Sequence, residues 1–377
     1  MKYHMPTEIV FGAGTIGELG RITSQRLRSS RPLLVTDKGV VAAGLAARVL
    51  QHLTPLAVFS EIEPNPKLET VDRGGELARE LKPDLVIGLG GGSVLDAAKA
   101  IALLAANTGR IEDYEGREKY KSAPLRVLAI PTTCGTGSEV TWVSVITHAG
   151  RKFKMSIKGP LMYPAVALVD PDLLTTLPSQ LVASTGFDAL THAVEAYTAK
   201  PATVFTDALA WESLRLIFRS LPEAYPDIGE NSAAREGMML GSLLAGMAFG
   251  NSDVGAVHCL AESIGALYDT PHGVANAVLL PFVMEFNREA AGAKYARIAE
   301  LAGVGAGGRE EAAARLIQKI LEFSRALLIP AFKDLGIPES DFELIAQKSF
   351  ENNSNPSNPR EATAADYLGI LQRAHRA

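Results

Sequence analysis

The sequence predicts an α/β dinucleotide-binding domain with a mostly parallel sheet, followed by an all-α domain. Short β-branched runs alternate with helical stretches up to about residue 178: PLLVTD, PLAVFSE, DLVIGLGG, LRVLAIP and AVALVDP. After Leu177-Pro178-Ser179 the strand signal stops, and Ala- and Leu-rich segments with helical spacing run nearly to the end. A chain of 377 residues is long for one core, and its 47% apolar content is enough to fill two. The expected domains are 1–178 and 179–377, with the functional site in a cleft between them.

The first strand, EIVF, leads into Gly12-Ala13-Gly14-Thr15-Ile16-Gly17, and Asp37 ends the next strand. On spacing alone this is a dinucleotide fingerprint. In Glu63-Pro64-Asn65-Pro66 two prolines fix the loop after PLAVFSE, and Asn65 either contacts a base or ribose or belongs to a plain loop. A second glycine turn, Gly90-Gly91-Gly92-Ser93, follows the more apolar strand DLVIGLG and runs straight into a helix with Asp96 and Lys99 in its first turns. Consecutive glycines let backbone N–H groups approach a pyrophosphate, and the helix N-terminus adds partial positive charge. Asp96 either joins that site or complements the helix dipole.

The second turn is the stronger candidate, because its strand has the character of a central strand at a switch point. It is supported by Pro131–Thr141, where the hydroxyls of Thr132, Thr133, Thr136 and Thr141 follow a strand carboxyl end and could cradle phosphate or ribose. Asp37 offers a carboxylate to ribose hydroxyls and would repel a 2′-phosphate, which favours NAD while leaving NADP open. VSVITHAGRKFKMSIKG then reads as a hairpin around His148-Ala149-Gly150, in which Lys154 taken alone is a solvated strand lysine.

In the helical half, breaks are expected at Pro201, Pro222, Pro226, Pro281, Pro330 and Pro338. GMMLGSLLAGMAFG is too short to span a bilayer and reads as a buried helix, and NNSNPSNPR as a surface loop. Asp188 and His192 lie four apart in a helical segment, which puts both on one face as a chelating pair. His258 is also helical, and His272 stands at a turn where Pro271 suits a helix start. If these helices pack together, one carboxylate and three imidazoles converge on a divalent ion. A donor set without thiolate suits Fe(II) or Zn(II).

The net charge of −5, with both signs interspersed, provides no basic field for nucleic acid or anionic lipid, so small-molecule chemistry is expected. Cys134 and Cys259 cannot build a disulfide framework, and Cys134 reads as a small packing residue rather than a nucleophile. With no basic region and apolar core at the start of the chain, a reducing cytoplasmic location is expected.

GGGSVLDAAKA, IPTTCGTGSEVT, TGFDALTHAVEAY and the paired GAVHCLAE and TPHGVANAVLLP, in this order, resemble the iron-dependent (group III) alcohol dehydrogenase family over nearly the whole chain. The resemblance implies NAD(P)-linked interconversion of a small alcohol and its aldehyde by a homo-oligomer, usually a dimer or larger. It implies Asp188, His192, His258 and His272 as metal ligands. Gly91, Gly92, Ser93 and Asp96 would lie on the pyrophosphate side, with Thr132, Thr133, Thr136 and Thr141 along the cofactor. Asp37 and Asn65 would serve the adenosine end and Lys154 the nicotinamide ribose, and Gly12 to Gly17 becomes a structural turn.

One departure stands out. Where many members carry a further histidine, one helical turn after the third ligand, this chain has Glu262. Three roles are open to it: relaying a proton, bonding a ligand histidine, or pairing with a cation. Glycerol, diol and maleylacetate oxidoreductases share the pattern, and a cyclase like dehydroquinate synthase shares the two-domain plan but needs a cationic cluster that is missing here. A metallohydrolase or a non-catalytic sensor are the readings from other classes. Phe249 and Met247 are the candidates for the substrate side.

Overall fold

The computed structural model describes residues 1–377, and they form two compact units, Met5–Leu177 and Pro178–Ala377 together with Met1–His4. The first four residues thus leave the α/β unit. His4 N–H donates to Asn251 Oδ1 at 2.7 Å, and the Tyr3 ring lies 6.2 Å from that of Phe205.

In the α/β unit, β1 (Glu8–Phe11) and the short helix α1 (Leu19–Arg21) precede β2 (Pro32–Asp37), α2 (Lys38–Ala42), α3 (Leu45–Leu50) and β3 (Ala57–Ile62). Next come α4 (Leu68–Leu81), β4 (Leu85–Gly90), α5 (Gly92–Ala106), β5 (Gly116–Arg117) and β6 (Val127–Pro131). A hairpin of β7 (Val143–His148) and β8 (Phe153–Lys158) precedes β9 (Val166–Val169). Six strands form one sheet in the order β1-β9-β6-β4-β2-β3, and every pairing in it is parallel.

Alternation along the strands explains the helices on both faces. Leu33, Val35 and Val86 join one buried cluster with α4 and α5, whereas Leu34, Leu85, Ile87 and Leu89 join the other with α1 and α3. Gly88 and Gly90 point to the α5 side, where a Cβ would come within 2.9 Å of Ala98 Cβ and 2.6 Å of Val94 Cβ. The glycines in this central strand therefore let α5 lie close. Chain order reverses between β2 and β4, so the carboxyl ends of these two strands, Asp37 and Gly90, flank the switch point where open α/β sheets bind ligands.

The helical unit contains α6 (Ser179–Thr198), α7 (Val204–Ala224), α8 (Ser232–Ser252), α9 (Ala256–Tyr268), α10 (His272–Leu301), α11 (Arg309–Ala326), α12 (Phe342–Phe350) and α13 (Ala364–Arg376). Two expected breaks fail: Pro222 lies inside α7 and Pro281 inside α10. Proline removes one donor per helix, and burial of the α10 flanks, from Ala275 to Pro281 and beyond, outweighs that loss. NNSNPSNPR is a surface loop only in part, with Asn353, Pro356 and Arg360 exposed. Ser354, Ser357 and Asn358 are buried because they bond inward, the two serine hydroxyls to Asp253 at 3.0 and 2.7 Å and Asn358 to Asn287. No helix is long and apolar enough to cross a membrane.

Candidate active site

Helix α6 is buried on nearly every side, so its polar residues must find partners inside the unit. Asp188 and His192 share one face, with Asp188 Oδ1 3.9 Å from His192 Nδ1. Gly273 brings the start of α10 against α6, since a Cβ there would sit 2.3 Å from the Ser184 carbonyl oxygen. This close approach sets His272 beside Asp188, with Nε2 3.7 Å from Oδ1. His258, from α9, presents its Nε2 4.0 Å from the same oxygen.

Ligand atoms of Asp188, His258 and His272 all lie within 4.8 Å of one another. Donors bound about 2.0–2.2 Å from one ion stand roughly 3–4 Å apart, so the Asp188 distances match a chelating set. His192 stands at the edge of this group, its ring stacked on Phe249 at 4.2 Å and tilted against His258 at 4.4 Å. Burial alone would push the Asp188 carboxyl up, but the His192, His272 and His258 imidazoles and the Asn276 amide hold it below the usual carboxylate range. Burial would likewise depress His258, but Glu195, then Asp188 and Glu262, raise it.

On the α/β unit the two glycine turns differ in what fills them. In the first, Gly14 and Ile16 N–H donate to the two oxygens of Asp170 at 3.1 and 3.0 Å, so a carboxylate of the chain itself occupies the amides that a phosphate would need. In the second, no side chain caps Gly91 at the start of α5, which leaves the first-turn amides to an anion. A Cβ on Gly92 would meet Thr136 Cγ2 at 2.5 Å and one on Gly91 would meet Thr133 Cγ2 at 3.1 Å, so only glycine fits against this threonine loop. Ser93 follows within the same first turn, half-buried like Gly91 and Gly92.

Other expected cofactor residues divide between lining and scaffold. Thr133 and Thr136 stay half-buried at the loop surface, whereas Thr132 and Thr141 are buried, with Thr141 Oγ1 3.3 Å from Lys99 Nζ. Asp96 accepts from Ser138 Oγ at 2.5 Å and Val145 N–H at 2.9 Å and pairs with Lys99 at 3.1 Å, which ties α5 to the loop and to β7. Asp37 caps α2 by accepting from Val40 N–H at 2.8 Å through Oδ1. Lys154 Nζ donates to Asn65 Oδ1 at 2.9 Å, which brings together two residues expected at different parts of a cofactor. Lys154 is also buried rather than solvated.

Residues 6–171 match the family model for iron-containing alcohol dehydrogenase, and residues 182–375 match that for the C-terminal part of the Fe-containing alcohol dehydrogenase family. The chain belongs to the iron-containing alcohol dehydrogenase family. It is 38% identical over 380 residues to NAD-dependent methanol dehydrogenase of Bacillus methanolicus, covering 99% of each chain. It is 40% identical over 381 residues to 1,3-propanediol dehydrogenase of Klebsiella pneumoniae, covering 99% of this chain and 98% of the relative. Among solved structures, that of 1,3-propanediol oxidoreductase superposes with a TM-score of 0.95 at 40% identity over 99% of each chain.

As an iron-containing alcohol dehydrogenase, the protein is a metal-dependent oxidoreductase of alcohols and aldehydes. Its own donor set fits such an ion. A buried carboxylate among imidazoles is costly without a cation, by several kcal/mol. Asn276, which is 0% exposed, reaches into the same space: its Nδ2 lies 2.7 Å from Asp188 Oδ1, 3.3 Å from His258 Nε2 and 3.2 Å from His272 Nε2, while its Oδ1 is buried with no partner. A buried amide oxygen without a partner, on a side chain that touches three ligand atoms through its nitrogen, fits a centre built to take a further charge.

Sequence reasoning missed two residues of this centre. Asn276 lies one turn after His272 on α10, and Glu195 lies three residues after His192 on the face of α6 that carries Asp188. Glu195 Oε2 stands 2.5 Å from His258 Nδ1, which is the bond to a ligand histidine that was one of the options for Glu262. Helical periodicity extended past His192 would have picked out Glu195. Glu262 instead accepts from Asn352 Nδ2 at 2.6 Å, close enough to His258 for its charge to act on the imidazole.

Proposed function

We propose that the protein interconverts a small primary alcohol and its aldehyde with NAD as hydride acceptor, using a divalent ion held by Asp188, His192, His258 and His272. The observation that carries this reading is the convergence of buried Asp188 and His258 with half-buried His272. When bound, the ion supplies Lewis acidity to the substrate oxygen, for which Fe(II) and Zn(II) are the candidates. The name of the methanol-oxidising relative supports NAD, and so does the Asp37 carboxylate at the end of β2.

Each residue of the chain then has a definable task. Amides of Gly92 and Ser93 at the start of α5 take the pyrophosphate, and Asp37 takes the adenosine ribose. Lys154, held by Asn65, offers its ammonium to the nicotinamide ribose. Phe249 covers one face of His192 and limits the space on the substrate side, consistent with the small alcohols named for the relatives. Alcohol oxidation releases a proton, and Glu262, fixed by Asn352, is the carboxylate we assign to pass it on. Two buried cysteines outside any disulfide fit work in a reducing cytoplasm, and the family resemblance favours a homo-oligomer.

The test is removal of metal by chelation, followed by addition of Fe(II) or Zn(II) while NADH is monitored with a panel of primary alcohols. Turnover should disappear and return with the ion. Undiminished turnover by a verified metal-free protein would overturn the assignment.

A further inference from the structure

Glu195 is only 5% exposed and faces three donors at once. Its Oε1 accepts from Val257 N–H at 2.7 Å, and its Oε2 accepts from Gly255 N–H at 2.9 Å and meets His258 Nδ1 at 2.5 Å. The amide between these two, Ala256 N–H, donates to Asn358 Oδ1 at 3.2 Å. Asn358 is itself clasped to Asn287 by two amide bonds of 2.9 and 2.8 Å. A Cβ on Gly255 would lie 2.9 Å from Asn358 Oδ1 and 3.1 Å from Glu195 Oε1, so glycine is what lets both caps close in.

Helix α9 has no cap of its own, and its opening amides would be unpaired inside the unit. One carboxylate from another helix closes two of them and holds the imidazole three residues on. We infer that Glu195 is the positioning residue of the metal centre: it fixes His258 with the proton on Nδ1 and the Nε2 lone pair toward Asp188 and His272. This rests on the metal reading of the site. Hydrogen bonds to the far nitrogen of a ligating histidine set ring orientation and donor strength, and losing them typically weakens metal affinity 10–100-fold. Asn358 supports the helix start without touching the ring, so the two caps separate helix closure from histidine positioning.

The experiment measures Zn(II) and Co(II) affinity of the full chain by chelator competition, together with the visible spectrum of the Co(II) form. Glu195→Gln keeps the size but offers one acceptor oxygen to three donors, and should weaken both affinities about 10–100-fold and shift the Co(II) bands. Asn358→Ala, which spares the His258 contact, should stay within about threefold of the unaltered protein and keep its spectrum. If Glu195→Gln does not fold, Glu195→Asp serves, since it retains the charge but withdraws it by roughly 1.5 Å; it should weaken affinity and shift the bands in the same direction. Unchanged affinity and spectrum in the Glu195 variant overturn the inference, as does an equal loss in Asn358→Ala, which would make Glu195 a helix cap only. Failure of the unaltered protein to bind either ion would instead defeat the metal reading itself.

Discussion

The Lys154 ammonium donates to the Asn65 carboxamide oxygen at 2.9 Å, joining β8 to the loop that follows β3. Asn65 holds a left-handed backbone, φ 52°, at this point, a conformation asparagine tolerates better than most residues. The lysine is thus held in place by the chain itself. Asn65→Ala should weaken NAD binding about tenfold, the equivalent of one hydrogen bond to a charged group, in a calorimetric titration. An unchanged affinity would mean that the pair is purely structural.

Asp37 caps α2, and in the function proposed above it also places a negative charge at the cofactor's adenosine end. Asp37→Ser keeps an oxygen for Val40 N–H while removing the charge, so the ratio of kcat/KM for NADP to that for NAD should rise at least about tenfold with little loss of stability. Asp37→Gly should shift the preference in the same direction. If neither variant moves the ratio, the carboxylate does not read the ribose.

For Glu262 the informative variant is Glu262→Gln, which can still accept from Asn352 but cannot carry a proton. A relay role predicts that kcat falls about 100-fold with NAD affinity intact, and that Glu262→His restores part of the loss. Equal kcat in Glu262→Gln and the unaltered protein removes the assignment.

Burial pushes the Glu139 carboxyl up to about 7, with a local amide and the Lys99 ammonium only partly opposing it. An unfolded glutamate titrates near 4.3. From about pH 4.5 to 7 the folded protein therefore keeps a proton that the unfolded chain has lost, so stability falls as pH rises through this window and levels off above it. The loss is on the order of 3 kcal/mol. Glu139→Gln should flatten it, gaining more thermal stability at about pH 8 than at about pH 5 in melting curves. A parallel shift at both pH values would show that Glu139 is not the titrating group.

The sheet and the helical half were legible because their periodicities are plain: VLAIP and LVIGLG are continuous apolar runs, and α6 repeats buried positions at helical spacing. Asp188 and His192 were legible from a spacing of four within one helix. The same periodicity places Glu195 on that face, but the partners of Glu195 and Asn276 were not legible, since their meaning lies in which nitrogen of which histidine they face across helices. Asn65 and Lys154 lie far apart in sequence, and only the fold of β8 against the preceding loop shows that they meet. Pro281 misled because intrinsic helix breaking was weighed without the burial that overrides it.

Asp170 carries the first glycine turn's anion within the same polypeptide. What resembles a docking address for nucleotides is thereby a weld: the turn after the outermost strand, β1, four residues long, is pinned to the end of β9 by hydrogen bonds to a carboxylate as well as by the ladder beside it. The sheet margin should consequently be among the slow-exchanging parts of the α/β unit, and in the proposed function the coenzyme meets one phosphate cradle rather than two competing for it.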